Sequence, residues 1–389
     1  MIQKVLGGLG MLTAATGLLI SWRTLDATTI PQIVLNEAAW VPATVGTAVT
    51  AASMTRRAPL GWAFGALGVG LSALPLLEIR KTINGLESAM TGGFGADYEQ
   101  RMPLEVLRRT AQQRFPAHGL HISAPVTVTH DVVFAEYHTR PLKLDVYRPT
   151  VAPAVGDRYP AVLVLHGGGW RSGDKGVYFS AHHRALAAQG MVVFDAQYRY
   201  TSEAPWPAQL EDVRTAIRWI RAHADEYRIN PDQLALLGRS AGGHLALQAA
   251  YRATGQDADT AVSGVIAIYA PTNLRLMLHE HDARVVALVG GTSDEVPDAY
   301  ADASPLDFAE RPDLPPTLLI HGYRDDVVGP VHAELLLNRL RYQRVPAALL
   351  RLPWSRHGFD GVTFGVGAPL VQYYIDRFLG WSLHRNAAL

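Results

Sequence analysis

The chain has 389 residues, of which 48% are hydrophobic and 18% are charged, and its formal net charge is zero. It contains no Cys, which excludes disulfides, thiolate metal sites and a cysteine nucleophile. The balanced charge gives no indication of nucleic-acid binding. Residues from 121 onward are numerous enough for one α/β domain, so the first third of the chain needs a separate interpretation.

Three uncharged apolar segments occupy most of residues 1–81. They are Val5–Trp22, Ala38–Met54 and Ala58–Leu77. Each approaches the roughly 20 residues that a helix needs to cross ~30 Å of hydrocarbon, so we predict three transmembrane helices in contact with the lipid bilayer. A cleaved signal peptide is the alternative for the first segment, and a half-buried hairpin is the alternative for the second.

Tryptophans and glycines of these segments are typical of a membrane bundle. Trp22, Trp40 and Trp62 stand near segment ends, where the amphipathic indole prefers the bilayer interface. Gly61 and Gly65 form a small-xxx-small pair, which permits close contact between helices.

Basic residues predict how these segments are oriented. If all three span, Lys4 and Arg56-Arg57 share one side, and the positive-inside tendency places them in the cytoplasm. We therefore predict an integral protein of a bacterial cell membrane, with residues 121–389 on the outer face. Arg80-Lys81 favours the opposite orientation, which stays open.

Residues 82–120 are predicted to be a linker followed by one helix. Thr91–Gly95 contains three glycines and is expected to be a flexible break. Pro103–Phe115 combines apolar and Arg side chains. It is either a cap helix packed on the following domain or an interfacial helix at the membrane surface.

Apolar runs alternate with amphipathic stretches from residue 121 onward. The predicted strands are Pro125–Val133, Leu142–Tyr147, Ala161–Leu165, Met191–Ala196, Gln233–Leu237, Val262–Tyr269, Pro316–Ile320 and Ala347–Leu352. Between them, Pro207–Tyr227 has apolar residues at helical spacing. This order predicts an α/β domain, residues 121–389, with a mostly parallel sheet, helices on both faces and an antiparallel edge at its start.

A glycine-rich turn follows the third predicted strand. In His166-Gly167-Gly168-Gly169 the missing side chains let backbone N–H groups approach a reacting carbonyl. We expect the N–H groups of Gly168, Gly169 and Ala241 to form an oxyanion hole, each worth roughly 2.7–4 kcal/mol. A tight turn without a catalytic role is the alternative.

The segment Gly238-Arg239-Ser240-Ala241-Gly242 joins a predicted strand to a predicted helix. A serine at the apex of such a strand–turn–helix unit is a nucleophile elbow, and the glycines relieve collisions in the strained turn. We therefore predict that Ser240 is a nucleophile.

A carboxylate and an imidazole follow the last two predicted strands. Asp325 and Asp326 come just after one, and His357 follows the other. The order Ser240, Asp325, His357 is the chain order expected of a triad on this type of fold. Asp325 is our choice for the acid, and Asp326 stays open.

Three motifs together resemble the hormone-sensitive-lipase-like carboxylesterases and the neighbouring feruloyl-esterase-like and kynurenine-formamidase-like groups. They are the run from His166 to Lys175, the elbow with its following Gly-His, and His357-Gly358-Phe359. The resemblance covers about residues 126–385. It implies an α/β-hydrolase with an eight-stranded, mostly parallel sheet, serine hydrolase chemistry and no metal or other cofactor.

The leading hypothesis is a membrane-anchored serine carboxylesterase or lipase that hydrolyses small to medium acyl esters, lipid-like ones included. The alternatives are an amidase or arylformamidase with the same triad, an enzyme resembling the prenylcysteine methylesterases, and a non-catalytic membrane scaffold. The oligomeric state is not predicted.

Other side chains have competing interpretations. Trp170, Trp206 and Phe359 line a substrate pocket or belong to ordinary packing. His279-Glu280-His281-Asp282 has metal-ligand residue types, although a solvated loop explains it equally well. His182-His183 is expected at the surface, and His166 and His321 are expected to make structural hydrogen bonds.

Overall fold

The computed structural model describes residues 2–21, 33–34, 37–111, 124–138, 140–277 and 282–385, together with residues 120 and 122. The predictions for Trp22, for residues 112–115 of the helix after Pro103 and for His279-Glu280-His281 fall outside these residues.

The C-terminal part forms one eight-stranded sheet, in the order β1-β2-β4-β3-β5-β6-β7-β8. Strands β1 and β2 pair antiparallel, as do β2 and β4, and all other neighbours are parallel. The strands are β1 Val126–Glu136, β2 Pro141–Pro149, β3 Tyr159–Leu165, β4 Val192–Ala196, β5 Ile229–Arg239, β6 Gly264–Ile268, β7 Thr317–Gly322 and β8 Ala347–Leu352. The predicted antiparallel edge and mostly parallel sheet are therefore present.

Helices cover both faces of this sheet. They are α5 Ser180–Ala188, α6 Ala208–Ala222, α7 Ala241–Tyr251, α8 Ala283–Val289, α9 Pro297–Asp302, α10 Val331–Tyr342 and α11 Gly367–Ser382; earlier in the chain come α1 Ile2–Ser21, α2 Trp40–Thr55, α3 Pro59–Phe94 and α4 Leu104–Ala111. Because side chains alternate along a strand, Leu163 and Leu165 belong to one buried cluster and Val162 and Val164 to the other. The sheet thus separates two apolar layers.

The three predicted spans form helices of unequal length. Within the described part of the chain, only α3 is long and apolar enough to cross a membrane by length and composition. Helix α2 has 16 residues, about 24 Å at 1.5 Å per residue, which is short of ~30 Å of hydrocarbon. The second predicted segment is therefore a single helix and not a hairpin.

Helix α3 corrects the prediction of a break after residue 90. It has 36 residues and continues through Gly92 and Gly93 before ending at Phe94. A Cβ at Gly93 would lie 2.4 Å from the Ala347 carbonyl oxygen, so this glycine permits close packing on β8. The glycines that predict a flexible break in the sequence instead lie in a continuous helix, and Gly93 permits its close contact with β8.

Helices α1, α2 and the first half of α3 pack through small residues; residues 2–77 of these helices are called the N-terminal bundle below. A Cβ at Gly10 would lie 2.8 Å from the Gly61 carbonyl oxygen, and one at Gly65 would lie 2.6 Å from Thr50 Oγ1. The small-xxx-small pair therefore sits at the helix contacts that it predicts.

Helix α4 packs on the α/β domain. Arg109 donates to the carbonyl oxygens of Gln189 at 3.2 Å and Ala152 at 3.1 Å. Val106 lies against Gly380 of α11. These contacts place this part of α4 against the α/β domain, while Leu104 at its start is exposed.

Candidate active site

Ser240 occupies a strained turn between β5 and α7. Its φ is +53° and its ψ is −120°, a region that L-residues avoid. A Cβ at Gly238 would lie 2.1 Å from the Gly242 carbonyl oxygen, and a Cβ at Gly242 would lie 2.2 Å from that of Leu165. Both glycines are needed for the turn to form, and the turn lifts the Ser240 side chain above the carboxyl end of the sheet.

His357 links Ser240 to Asp325. Its Nε2 lies 2.9 Å from Ser240 Oγ, and its Nδ1 lies 2.8 Å from Asp325 Oδ2. The loops after β5, β7 and β8 supply these three side chains, which meet because parallel strands end at the same edge. The structure therefore brings together the three residues selected from the sequence.

Asp325 is held in one orientation by the backbone. Its Oδ1 accepts hydrogen bonds from the N–H groups of Val327 and Val328, each at 2.9 Å, while Oδ2 faces His357. Burial opposes ionisation of this carboxyl, but the adjacent His357 and His321 outweigh it and hold the pKa of Asp325 below its usual range. A carboxylate in this state favours a protonated Nδ1 on His357.

The neighbouring Asp326 points elsewhere. Its Oδ2 lies 2.5 Å from Nη1 of the buried Arg356. The structure thus distinguishes the two candidate acids that the sequence offers, because only the Asp325 carboxylate faces the imidazole of His357.

The glycine loop runs beside the nucleophile. A Cβ at Gly167 would lie 3.3 Å from Ser240 Cβ. Gly168 has a φ of +125°, and a Cβ there would lie 1.9 Å from the Ser172 carbonyl oxygen, so only glycine fits. Gly168 and Gly169 line the same cavity as Ser240, and the N–H of Ala241 belongs to the first turn of α7, where N–H groups have no intrahelical partner.

His166 and His321 contact the backbone of the loops that surround Ser240. His166 Nδ1 lies 2.7 Å from the Gly167 carbonyl oxygen, and its ring stacks on Tyr198 with centroids 4.3 Å apart. Burial lowers the pKa of His166. His321 Nε2 lies 2.9 Å from the Val328 carbonyl oxygen. Both histidines have structural contacts, as expected.

The cavity above Ser240 has a volume of about 670 Å³. The described residues that line it include Val177, Tyr178, Phe179, Val327 and Arg284. The sequence offers no periodic signal for them because Val177–Phe179 belongs to an irregular segment before α5.

The three aromatic residues proposed from the sequence as a pocket lie outside this cavity. Trp170 is buried and donates from Nε1 to His244 Nδ1 at 3.2 Å. Trp206 donates to Asp302 Oδ2 at 2.7 Å, and Phe359 is buried against Tyr269. In this structure the three rings contact other protein side chains and do not line the cavity above Ser240.

A buried ion pair braces the loop that carries His357. Asp360 Oδ2 lies 2.6 Å from Arg239 Nε, and its Oδ1 accepts from Tyr269 Oη at 2.6 Å. Burial opposes ionisation, but Arg239 holds the pKa of Asp360 below its usual value. The Tyr269 ring lies 4.5 Å from that of His357. The sequence alone did not reveal this brace, since its members are 121 residues apart.

His182 and His183 correct a further prediction, because both are buried and not at the surface. His182 Nε2 lies 2.8 Å from the Asp360 carbonyl oxygen, and Nδ1 lies 2.8 Å from Gln372 Oε1. Burial lowers the pKa of His182 to about 4. The helix start that looked exposed is covered by the His357 loop and α11.

Glu37 is a second contact to this loop that sequence reasoning missed. It is fully buried; Ser355 Oγ donates to its Oε1 at 2.6 Å and the Gly367 N–H donates to its Oε2 at 2.7 Å. Burial outweighs these hydrogen bonds and raises the pKa of Glu37 to about 7. The segment before α2 is therefore joined to the residues on both sides of His357.

No three His, Asp or Glu side chains gather to hold a metal ion within the ranges that the structure describes. Asp282, at the end of the predicted metal-type cluster, instead pairs with Arg284 at 2.5 Å.

The sheet, the elbow and the three aligned side chains define an α/β-hydrolase. The BD-FAE family model matches residues 144–340, about half of the chain. The chain belongs to this family, within the carboxylesterase group of α/β-hydrolases, which are ester hydrolases.

Curated relatives and solved structures agree with this assignment. Esterase LipC of Mycobacterium tuberculosis is 32% identical over 262 residues, 63% of this chain and 63% of LipC. The probable carboxylic ester hydrolase LipM of the same species is 28% identical over 81% of this chain and 77% of LipM. A propionate-bound structure of esterase Est2 from Thermogutta terrifontis has a TM-score of 0.53 and 26% identity, covering 68% of this chain and 94% of Est2.

Proposed function

We propose that this chain is a membrane-anchored serine carboxylesterase that uses Ser240, His357 and Asp325. The observation that carries the proposal is the continuous line of hydrogen bonds from Ser240 Oγ through His357 to Asp325, beside a loop in which only glycine fits. Such a line is the arrangement that activates a serine hydroxyl.

The acylation half-reaction follows from the atoms in place. Ser240 Oγ attacks the carbonyl carbon of the ester while its proton moves to His357 Nε2. The N–H groups of Gly168, Gly169 and Ala241 bind the resulting oxyanion. The C–O bond to the alcohol then breaks, and the alcohol leaves with the proton from Nε2. Asp325 stabilises the imidazolium that exists between these two transfers.

Deacylation uses the same groups with water as the nucleophile. Water attacks the acyl-Ser240 carbonyl and gives a proton to His357 Nε2. The bond to Oγ breaks, the carboxylic acid leaves and Ser240 regains its proton. Together the acylation and deacylation half-reactions consume one ester and one water and release one alcohol and one carboxylic acid. Neither half-reaction includes a redox step or needs a cofactor.

The N-terminal helices support an anchor in the membrane. Helices α1 and α3 run in the same direction, since Gly61 lies against Leu6 and Gly68 against Thr13. Helix α2 runs oppositely, since Gly61 lies against Ser53 and Gly65 against Thr50. Lys4 and Arg56-Arg57 then share the end away from the sheet, and Gln3 Nε2 lies 3.4 Å from the Arg56 carbonyl oxygen. With positive charge inside, the hydrolase domain lies on the outer face of the cell membrane.

Hydrolysis of a substrate panel by full-length protein in detergent tests the function. We expect turnover of nitrophenyl esters of short and medium acyl chains, and loss of that turnover in Ser240→Ala. Faster hydrolysis of aryl-formamides than of all esters favours the amidase alternative. No turnover of any ester or amide by a folded protein refutes the proposal.

A further inference from the structure

The active-site mouth and the apolar bundle lie at the same edge of the sheet. Helix α3 runs antiparallel to β8, because Gly93 contacts Ala347 at the start of the strand, whereas Glu78 and Lys81 share a groove with Pro353 just past its end. The first half of α3 must therefore continue beyond the carboxyl edge. That edge carries Ser240 and His357.

Besides the contact of α3 with β8, Glu37 provides a second attachment of the N-terminal bundle to this edge of the sheet. It precedes α2 and is buried against Ser355 and Gly367, which flank the His357 loop. The connection between α1 and α2 and the middle of α3 thus both meet the domain at the level of the active site. Two attachments on separate elements restrict rotation of the bundle relative to the sheet.

The outer surface of the bundle is apolar and has no protein partner in the described part of the chain. Its exposed large apolar side chains include Val5 and Leu12 of α1, Met54 of α2, and Leu60, Trp62 and Leu77 of α3. Pro59–Leu77 of α3 is about 28 Å long at 1.5 Å per residue, which matches ~30 Å of hydrocarbon. A lipid bilayer is the occupant that fits a surface apolar over this length and bounded by Arg57 and Glu78.

Exposed apolar side chains also lie at the rim of the cavity. Val177 and Tyr178 are 42% and 80% exposed and line the cavity, and Tyr178 has a φ of +63°. Phe364 is 50% exposed and adjoins Gly365, which lies against Glu37. Exposed aromatic and aliphatic groups at a membrane-proximal rim are typical of an interfacial contact.

We propose that the active site opens onto the bilayer surface and takes amphiphilic esters whose acyl chains lie in the same membrane. This inference rests on the proposed function, because it assigns a substrate class and a route of entry to the same Ser240 site. A substrate that shares the bilayer has a much higher effective concentration at the cavity than one in free solution.

A pair of tyrosines provides a matched test of the geometry. Tyr178 is 80% exposed at the rim, and Tyr342 is 83% exposed at the end of α10, next to the amino edge where β8 begins. Because the chain has no Cys, Tyr178→Cys and Tyr342→Cys each give a single site for an environment-sensitive dye. The full-length variants are reconstituted into phosphatidylcholine–phosphatidylglycerol vesicles that contain a headgroup-nitroxide lipid.

We expect several-fold stronger quenching of the dye at residue 178 than at residue 342. Equal quenching, stronger quenching at 342, or no quenching at either site in vesicle-bound protein overturns the inference. Protein that does not remain with the vesicles overturns the membrane anchor itself. Neither result depends on ester hydrolysis, which a short water-soluble ester monitors in the same samples.

The substrate class is tested with one long-chain fluorogenic ester presented in two ways. The ester is placed either in the vesicles that hold the protein or in separate vesicles of the same composition, with Ser240→Ala as the blank. We expect the ester to be hydrolysed at least roughly tenfold faster when it is in the vesicles that hold the protein than when it is in separate vesicles. Equal rates, with the short ester still hydrolysed, overturn the inference and leave the proposed function intact.

Discussion

The substitution Asp325→Asn tests how the structure selects the state of His357. Asp325 Oδ1 accepts from two backbone N–H groups, at Val327 and Val328. In the variant the amide oxygen must keep this position, because the amide nitrogen cannot accept. The NH₂ group then replaces Oδ2 and donates to His357 Nδ1.

That donation forces the wrong tautomer on the imidazole. With Nδ1 as acceptor, the ring proton moves to Nε2, 2.9 Å from Ser240 Oγ, and no general base remains. The same tautomer error in a serine protease triad costs about 10⁴-fold in kcat, or about 5 kcal/mol of transition-state stabilisation. We expect a loss of this size in steady-state hydrolysis of a nitrophenyl ester, with KM little changed.

Asp326→Asn is the matched control one residue away. Its side-chain oxygen continues to accept from Arg356, so we expect less than about a tenfold loss of kcat. Comparable losses in the two variants, or a larger loss at Asp326, would refute the argument from orientation. Circular dichroism of both variants establishes that each is folded.

Two further predictions concern stability and packing. In Gly242→Ala the new Cβ meets the Leu165 and His166 carbonyl oxygens at 2.2 and 2.5 Å. We expect this variant to lose about 1–3 kcal/mol of unfolding free energy and to lose ester turnover. In the control Gly85→Ala the new Cβ has nothing within 4 Å, so chemical unfolding should show a gain of roughly 0.5–1 kcal/mol in unfolding free energy. A functional Gly242→Ala protein contradicts the strained elbow. Burial, with Asp360 nearby, raises the pKa of Glu37 from 4.5 to about 7, so its contribution to stability is present below pH 4.5 and is lost as pH rises through about 7. The unfolding free energy of Glu37→Gln, measured relative to that of the parent protein, should therefore rise by up to about 3 kcal/mol from pH 4.5 to pH 8. A difference in unfolding free energy that does not change with pH contradicts this.

The sequence predicts the sheet and the strained turn at Ser240 well, because both depend largely on local patterns. Apolar runs mark the parallel strands, and the collision that Gly238 avoids, with the Gly242 carbonyl oxygen, lies within the same turn. The sequence favours Asp325 but separates it poorly from Asp326. Adjacent side chains in a turn point in different directions, and distant partners, His357 and Arg356, decide which one faces the site.

Long-range contacts account for the predictions that were wrong. His182 was expected at the surface, but its partner Gln372 is 190 residues away. The glycines at 92 and 93 were expected to break a helix, but Gly93 lies against β8. Glu37 gave no signal at all, since its carboxylate meets Ser355 at a separation of 318 residues. Patterns within one segment carry no information about such pairs.

The most direct test of the account is to locate the adduct of a fluorophosphonate, which reacts with an activated serine. Full-length protein and Ser240→Ala are treated with the probe, digested and analysed by peptide mass spectrometry. We expect one modified peptide, with the phosphonyl group on Ser240, and no adduct in the variant. Modification of another residue, or equal labelling of Ser240→Ala, would contradict the assignment of the nucleophile.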